Sequence, residues 1–166
     1  MMSTLKITSE QIADIRLDLE RRHPFAFERV GFIFAGCSFI GSELVLLCRD
    51  YAPVADEDYL NDLSAGAVIG PDAMRKSLQT AYRTKSAILH VHSHGGRGRP
   101  SFSRTDLDSG KDFVPSFFNV VPTMPHGLIV LSDEAATGLL WVHPQKPPEY
   151  IKQFTQVGKS YQKWSS

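Results

Sequence analysis

The segment Leu89–Asp108, LHVHSHGGRGRPSFSRTDLD, constrains the fold of this chain more than any other stretch. Its first half, the core of a strand expected over Ser86–His94, alternates in the way of a strand, whose successive side chains point to opposite faces. The glycines and proline of GGRGRP then break the strand. Ser103 with an acid three residues later marks a helix start, expected to run from about Arg104 to about Phe118. The chain must therefore leave a strand, turn through a glycine-rich loop and come back through a helix N-terminus.

That geometry concentrates chemistry. His92 and His94 share a strand face, while Ser93 points to the other. Two strand residues span roughly 6.5–7 Å, and converging imidazoles can hold one ion across that gap with bonds of about 2 Å. Asp106, in the first turn of the following helix, can supply a third donor, which leaves an open position of the kind a catalytic zinc keeps for water. Bound zinc makes hydroxide available near neutral pH. Glu28, immediately before the apolar run Val30–Ala35, is the candidate general base and acid. Ser103 is the candidate donor to a developing oxyanion. His90 continues the alternation deeper in the sheet, as a packed residue or a second contact behind the ligands.

The rest of the chain reads as mixed α/β. A short strand at Leu5–Ile7 is followed by a helix capped by Ser9, with Ile12, Ile15, Leu17 and Leu19 at helical spacing to about Arg22. His23-Pro24 should stop it. Gly36–Gly41 is expected to turn the chain into a partner strand at Leu44–Cys48. The acidic stretch DYAPVADEDYLND reads as a loop, and Asp56-Glu57-Asp58 within it as solvated surface rather than a cation site. A weak strand follows at Ala67–Ile69. Pro71 opens a helix to about Arg83 with Met74, Leu78 and Tyr82 on one face. A last strand pair is expected at Leu128–Leu131 and Leu139–Val142. Domain organisation is expected as one domain over 1–146, with 147–166 as a tail. Arg97 and Arg99 read as a mobile solvated loop, with contact to a substrate tail or phosphate as the alternative. His23, His126 and His143 read as structural or solvated.

Eighteen basic and eighteen acidic residues cancel, which disfavours charge-driven binding to nucleic acid or a membrane surface. The N-terminus lacks a basic-plus-apolar leader, and runs such as VGFIFAG are too short to span a bilayer. Cys37 and Cys48 form no framework and are expected as free, buried thiols. A soluble cytoplasmic protein is the expectation.

Glu28 ahead of VGFIFAG, then His92-Ser93-His94, Ser103 and Asp106, closely resembles the JAMM (MPN-domain) metalloproteases. The resemblance spans roughly Leu5 to His143. It implies an MPN-type, cytidine-deaminase-like α/β (α+β) fold, a mixed central sheet flanked by helices. It implies His92, His94 and Asp106 as ligands of one Zn2+, Glu28 as general base and acid, and Ser103 as stabiliser of the tetrahedral intermediate. It further implies a zinc isopeptidase or peptidase cutting after the C-terminal glycine of a ubiquitin-like protein. The compact form is similar to standalone prokaryotic members, some of which sit in antiphage operons with E1-like and E2-like partners.

Two departures stand out. Eight residues, Gly95–Phe102, separate His94 from Ser103 where the family has seven, and Gly95 replaces the usual proline. The extra residue is expected in a flexible GGRGRP loop. Two other readings are a non-catalytic MPN scaffold, which the full ligand set disfavours, and a nucleic-acid-associated protein resembling RadC, which the neutral charge disfavours.

Overall fold

The computed structural model describes residues 1–22, 27–62, 64, 66–158 and 162–165. The chain runs β1 (Met2–Thr8), α1 (Ser9–Leu19), β2 (Val30–Ile40), β3 (Glu43–Pro53), a 3-10 turn at Asp56–Asp58 and α2 (Pro71–Thr84). It continues β4 (Ala87–Ser93), α3 (Arg104–Val120), β5 (His126–Leu131), β6 (Ala136–Trp141), β7 (Glu149–Tyr150), β8 (Gln153–Val157) and β9 (Gln162–Ser165). All the strands join one mixed sheet in the order β7-β6-β5-β4-β2-β3-β1-β8-β9. The pairs β1–β3, β1–β8 and β4–β5 are parallel and the others antiparallel.

Strand alternation sorts the core into two layers. On one face Ile33, Leu46, Leu89, Val91 and Ile129 pack with Ile12, Ile15 and Leu19 of α1. On the other, Phe32, Phe34, Ile88 and Leu128 pack with Val114, Phe117 and Phe118 of α3 and with Ala73 and Ala81 of α2. His90 and His92 share parity with Ile88, so they project to the α2/α3 side of the sheet.

Several boundaries differ from expectation. The cap of α1 is Thr8, which forms a reciprocal capping box with Gln11, and the helix ends at Leu19. The expected stop at His23-Pro24 lies outside the described residues. β2 continues through Gly36 to Ile40, because cross-strand pairing with β3 extends to the Ile40–Glu43 pair. Met74, Leu78 and Tyr82 do share a side of α2, but Ala73, Ser77 and Ala81 are its buried residues and Tyr82 is exposed. Small residues let that helix sit close to its neighbours. Ala67–Ile69 forms no strand; only Ile69 bridges, to Tyr59.

The segment beyond residue 147 is not a detached tail. β8 pairs in parallel with β1 from Thr4–Gln153 to Thr8–Val157. Ile151 and Phe154 are buried in the α1-side core. Asp56 and Asp58 are likewise structural: Asp56 pairs with Arg29 and Asp58, buried, with Lys76. Cys37 and Cys48 are free thiols, as expected, but half-buried.

Candidate metal centre

The site lies where β4 ends and α3 begins. Ser103 is the N-cap of α3: its Oγ accepts from the Asp106 N–H at 3.1 Å, and Asp106 Oδ2 accepts from the Ser103 N–H at 2.7 Å. This capping box fixes the carboxylate at the helix N-terminus, where the aligned peptide dipoles favour negative charge. The same carboxylate faces both histidines. Asp106 Oδ1 is 3.3 Å from His92 Nε2, and Oδ2 is 3.4 Å from His94 Nε2. The two Nε2 atoms are 3.1 Å apart.

These separations fit an ion. Zinc bonds of about 2.0–2.1 Å in tetrahedral geometry set neighbouring ligand atoms roughly 3.3–3.4 Å apart. The two imidazole nitrogens lie near that edge length, and each faces a different oxygen of the Asp106 carboxylate at 3.3–3.4 Å; an N, N, O donor set is of the kind that holds a divalent ion with one position open. His92 is buried, and its Nδ1 has no hydrogen-bond partner among the described residues.

Electrostatics point the same way. Burial alone raises the Asp106 carboxyl, but hydrogen bonding and charge from His92, together with the Ser103 side chain and backbone, outweigh it. Asp106 is therefore held well below the usual carboxylate range and stays anionic. His90 is pushed down to about 3 by burial and by its neighbour His92, against the pull of Asp106. It stays neutral against Phe32 and Phe113, with ring centroids at 5.6 and 4.9 Å.

Glu28 arrives by strand pairing. Val30 of β2 sits opposite His92 of β4 in the antiparallel register, so continuing that register sets position 28 against position 94. The Glu28 Oε1 lies 4.0 Å from His94 Nε2. Glu28, His92 and His94 together place one donor atom each within 4.8 Å of one another. Glu28 is therefore itself a candidate donor to an ion at the two histidines, although its carboxylate stands 4.0 Å from His94 Nε2 where that of Asp106 stands at 3.4 Å.

Residues that sequence reasoning missed hold this glutamate. The backbone N–H groups of Phe27 and Glu28 both donate to the Gly66 carbonyl at 2.9 Å. Arg29, buried, donates to the carbonyls of Arg21 and Arg22 and to Asp56 at 2.8, 2.9 and 2.7 Å. The Val30 N–H donates to the Tyr59 hydroxyl at 2.8 Å. Ser64 and Gly66–Ile69 form one wall of a cleft of about 470 Å³. Ser103, Thr105, Ser109 and Asp112 of the α3 segment face them, with the histidines at its floor. Only the clustering of small residues in SAGAVIG hinted that this stretch approaches something closely.

The GGRGRP loop is pinned rather than loose. Carbonyls of Gly96, Gly98 and Pro100 accept from the Asp133 N–H, the Ser132 hydroxyl and the Thr137 hydroxyl at 2.9, 2.6 and 2.6 Å. Gly95, Gly96 and Gly98 take positive φ, which accounts for the glycine run. Arg97 projects into solvent with its Nε 3.7 Å from Glu134.

No family model matches this chain, and no curated protein matches it. No helix among the described residues is long and apolar enough to cross a membrane.

Proposed function

We propose that this chain is a zinc-dependent peptidase of the JAMM type, cleaving after the C-terminal glycine of a ubiquitin-like modifier. The reading rests above all on the convergence of His92, His94 and Asp106, whose facing donor atoms lie 3.1–3.4 Å apart, with Glu28 alongside. The cleft leading away from them, with small residues such as Ser64 and Ala67 on its wall, suits an extended chain. A Gly-Gly terminus, having no side chains, would enter such a channel with its last carbonyl at the donors.

His92, His94 and Asp106 would hold the ion. Bound zinc would polarise the scissile carbonyl and acidify water. Glu28 takes the proton of the attacking water and passes it to the departing lysine or α-amine. Ser103 Oγ uses its acceptor capacity in the cap, so its O–H proton is free to meet the oxyanion. Asp106, kept anionic by His92 and by the cap, offsets cationic charge at the centre. We assign the biological setting, on the same resemblance, to deconjugation or maturation of a modifier within a prokaryotic, antiphage-type conjugation operon in the cytoplasm.

The test is zinc per chain, together with hydrolysis of a ubiquitin-like-Gly-Gly-extension fusion by the protein and by Glu28→Ala. One zinc per chain, and cleavage after Gly-Gly that Glu28→Ala abolishes, is the expected result. Absence of zinc uptake sinks the ligand assignment and leaves the scaffold reading in its place.

A further inference from the structure

Gly66, on the cleft wall, lies against the Glu28 side chain. A Cβ built on it would lie 2.7 Å from Glu28 Oε2, 2.8 Å from Cδ and 3.2 Å from Oε1, and these three atoms are its nearest neighbours. No strained backbone requires glycine here, because Gly66 is not among the positive-φ residues. Nor is a backbone atom or core side chain among those three nearest atoms, as it is at Gly127, whose Cβ would meet the Leu139 carbonyl. The missing methyl is therefore the space that the carboxylate of Glu28 occupies.

We propose that Gly66 is the positioning residue for Glu28, setting how far its carboxylate reaches towards the metal centre. The proposal rests on the peptidase reading of that centre. Two contacts from one residue act together. The Gly66 carbonyl binds the Phe27 and Glu28 N–H groups at 2.9 Å and anchors the backbone. The absent side chain leaves the carboxylate free to lie against Cα instead of being pushed along the cleft.

An alanine forces the carboxylate back by roughly 0.7 Å before it regains an ordinary contact of about 3.4 Å. The group that must move is the end of a flexible, half-buried side chain, so the fold should hardly notice. A general base displaced on this scale loses on the order of a hundredfold in rate.

The experiment uses the full chain loaded with Co2+ as a probe, in wild type, Gly66→Ala, Glu28→Ala and the double variant. The readouts are cobalt stoichiometry, the pH dependence of the visible cobalt spectrum, metal-free melting temperature and kcat on the Gly-Gly fusion. Expected for Gly66→Ala are one Co2+ per chain, melting within about 2 °C of wild type, and a spectral pH midpoint moved towards that of Glu28→Ala. The fall in kcat should far exceed any change in KM. In the Glu28→Ala background, Gly66→Ala should change nothing further, since both act through one carboxylate.

A Gly66→Ala spectrum and rate equal to wild type overturn the proposal. So does an added effect of similar size in the Glu28→Ala background, or a large melting loss, which would mark a structural role. Wild-type protein that takes up no Co2+ overturns the metal reading itself, an outcome visible before any variant is compared.

Discussion

His126 lies in the apolar core at 0 % exposure, where it ties together the elements that carry the candidate ligands. Its Nδ1 accepts from the Ile88 N–H of β4 at 3.1 Å, and its Nε2 contacts the Val121 carbonyl at the end of α3 at 2.9 Å. One tautomer, protonated on Nε2, satisfies both. Burial pushes the ring down to about 4, with the Val121 carbonyl pulling weakly the other way. An unfolded histidine titrates near 6.5. Between those values the unfolded chain binds a proton that the folded chain refuses, so stability falls as pH falls through this window. The contribution is complete above about 6.5 and fully lost below about 4, for a total of about 3 kcal/mol, of which about 2 kcal/mol is gone by pH ~5.

The perturbation is His126→Phe, which keeps an aromatic ring beside Phe117 and Phe118 at centroid distances of 5.7 and 4.7 Å but neither titrates nor hydrogen-bonds. It leaves the buried Ile88 N–H without its partner, a cost of about 1–3 kcal/mol, while the Val121 carbonyl keeps the Met124 N–H at 3.3 Å. At pH ~8 the variant should therefore be less stable than wild type by about 1–3 kcal/mol. By pH ~5 that gap should narrow by about 2 kcal/mol, since only wild type has paid the protonation cost. Urea unfolding of both proteins, metal-free in chelator, at the two pH values measures this directly. A gap that stays constant with pH refutes the reasoning, because every other titrating group is common to both chains.

Three further outcomes are expected. Ser103→Ala should cost about 1 kcal/mol of stability as a lost N-cap and lower kcat by about 10²–10³, with zinc stoichiometry unchanged by metal analysis. Asp106→Asn keeps an acceptor for the Ser103 N–H but removes the anion, so zinc affinity by chelator competition should fall at least about a hundredfold while the metal-free fold persists. Arg29→Met takes the donor from the carbonyls of Arg21 and Arg22 and breaks the ion pair with Asp56, so urea unfolding should show a loss of about 2–4 kcal/mol. Arg29→Lys should not restore it, because one ammonium cannot reproduce the fork.

Much of the centre was legible without coordinates because it is built from short-range rules. Strand alternation put His92 and His94 on one face, and the Ser103–Asp106 box announced both a helix start and a carboxylate beside it. The central strands and all three helices were legible for the same reason, since period and caps are local. Their ends drifted where pairing overrode propensity, as when β2 ran on through Gly36 to Ile40 against β3.

What tertiary structure decided is of longer range. Glu28 reaches the centre because the β2–β4 register sets Val30, two residues on, against His92, and no local pattern names a strand's partner. Gly66 matters only because a distant loop lies on Glu28. The 147–166 segment carries little apolar periodicity, yet it completes the sheet beside β1 by backbone hydrogen bonds that are blind to side-chain pattern. Residue spacing along the chain sets which groups share a face; the choice among strand partners sets which faces meet, and that choice is made by the packing of the whole core.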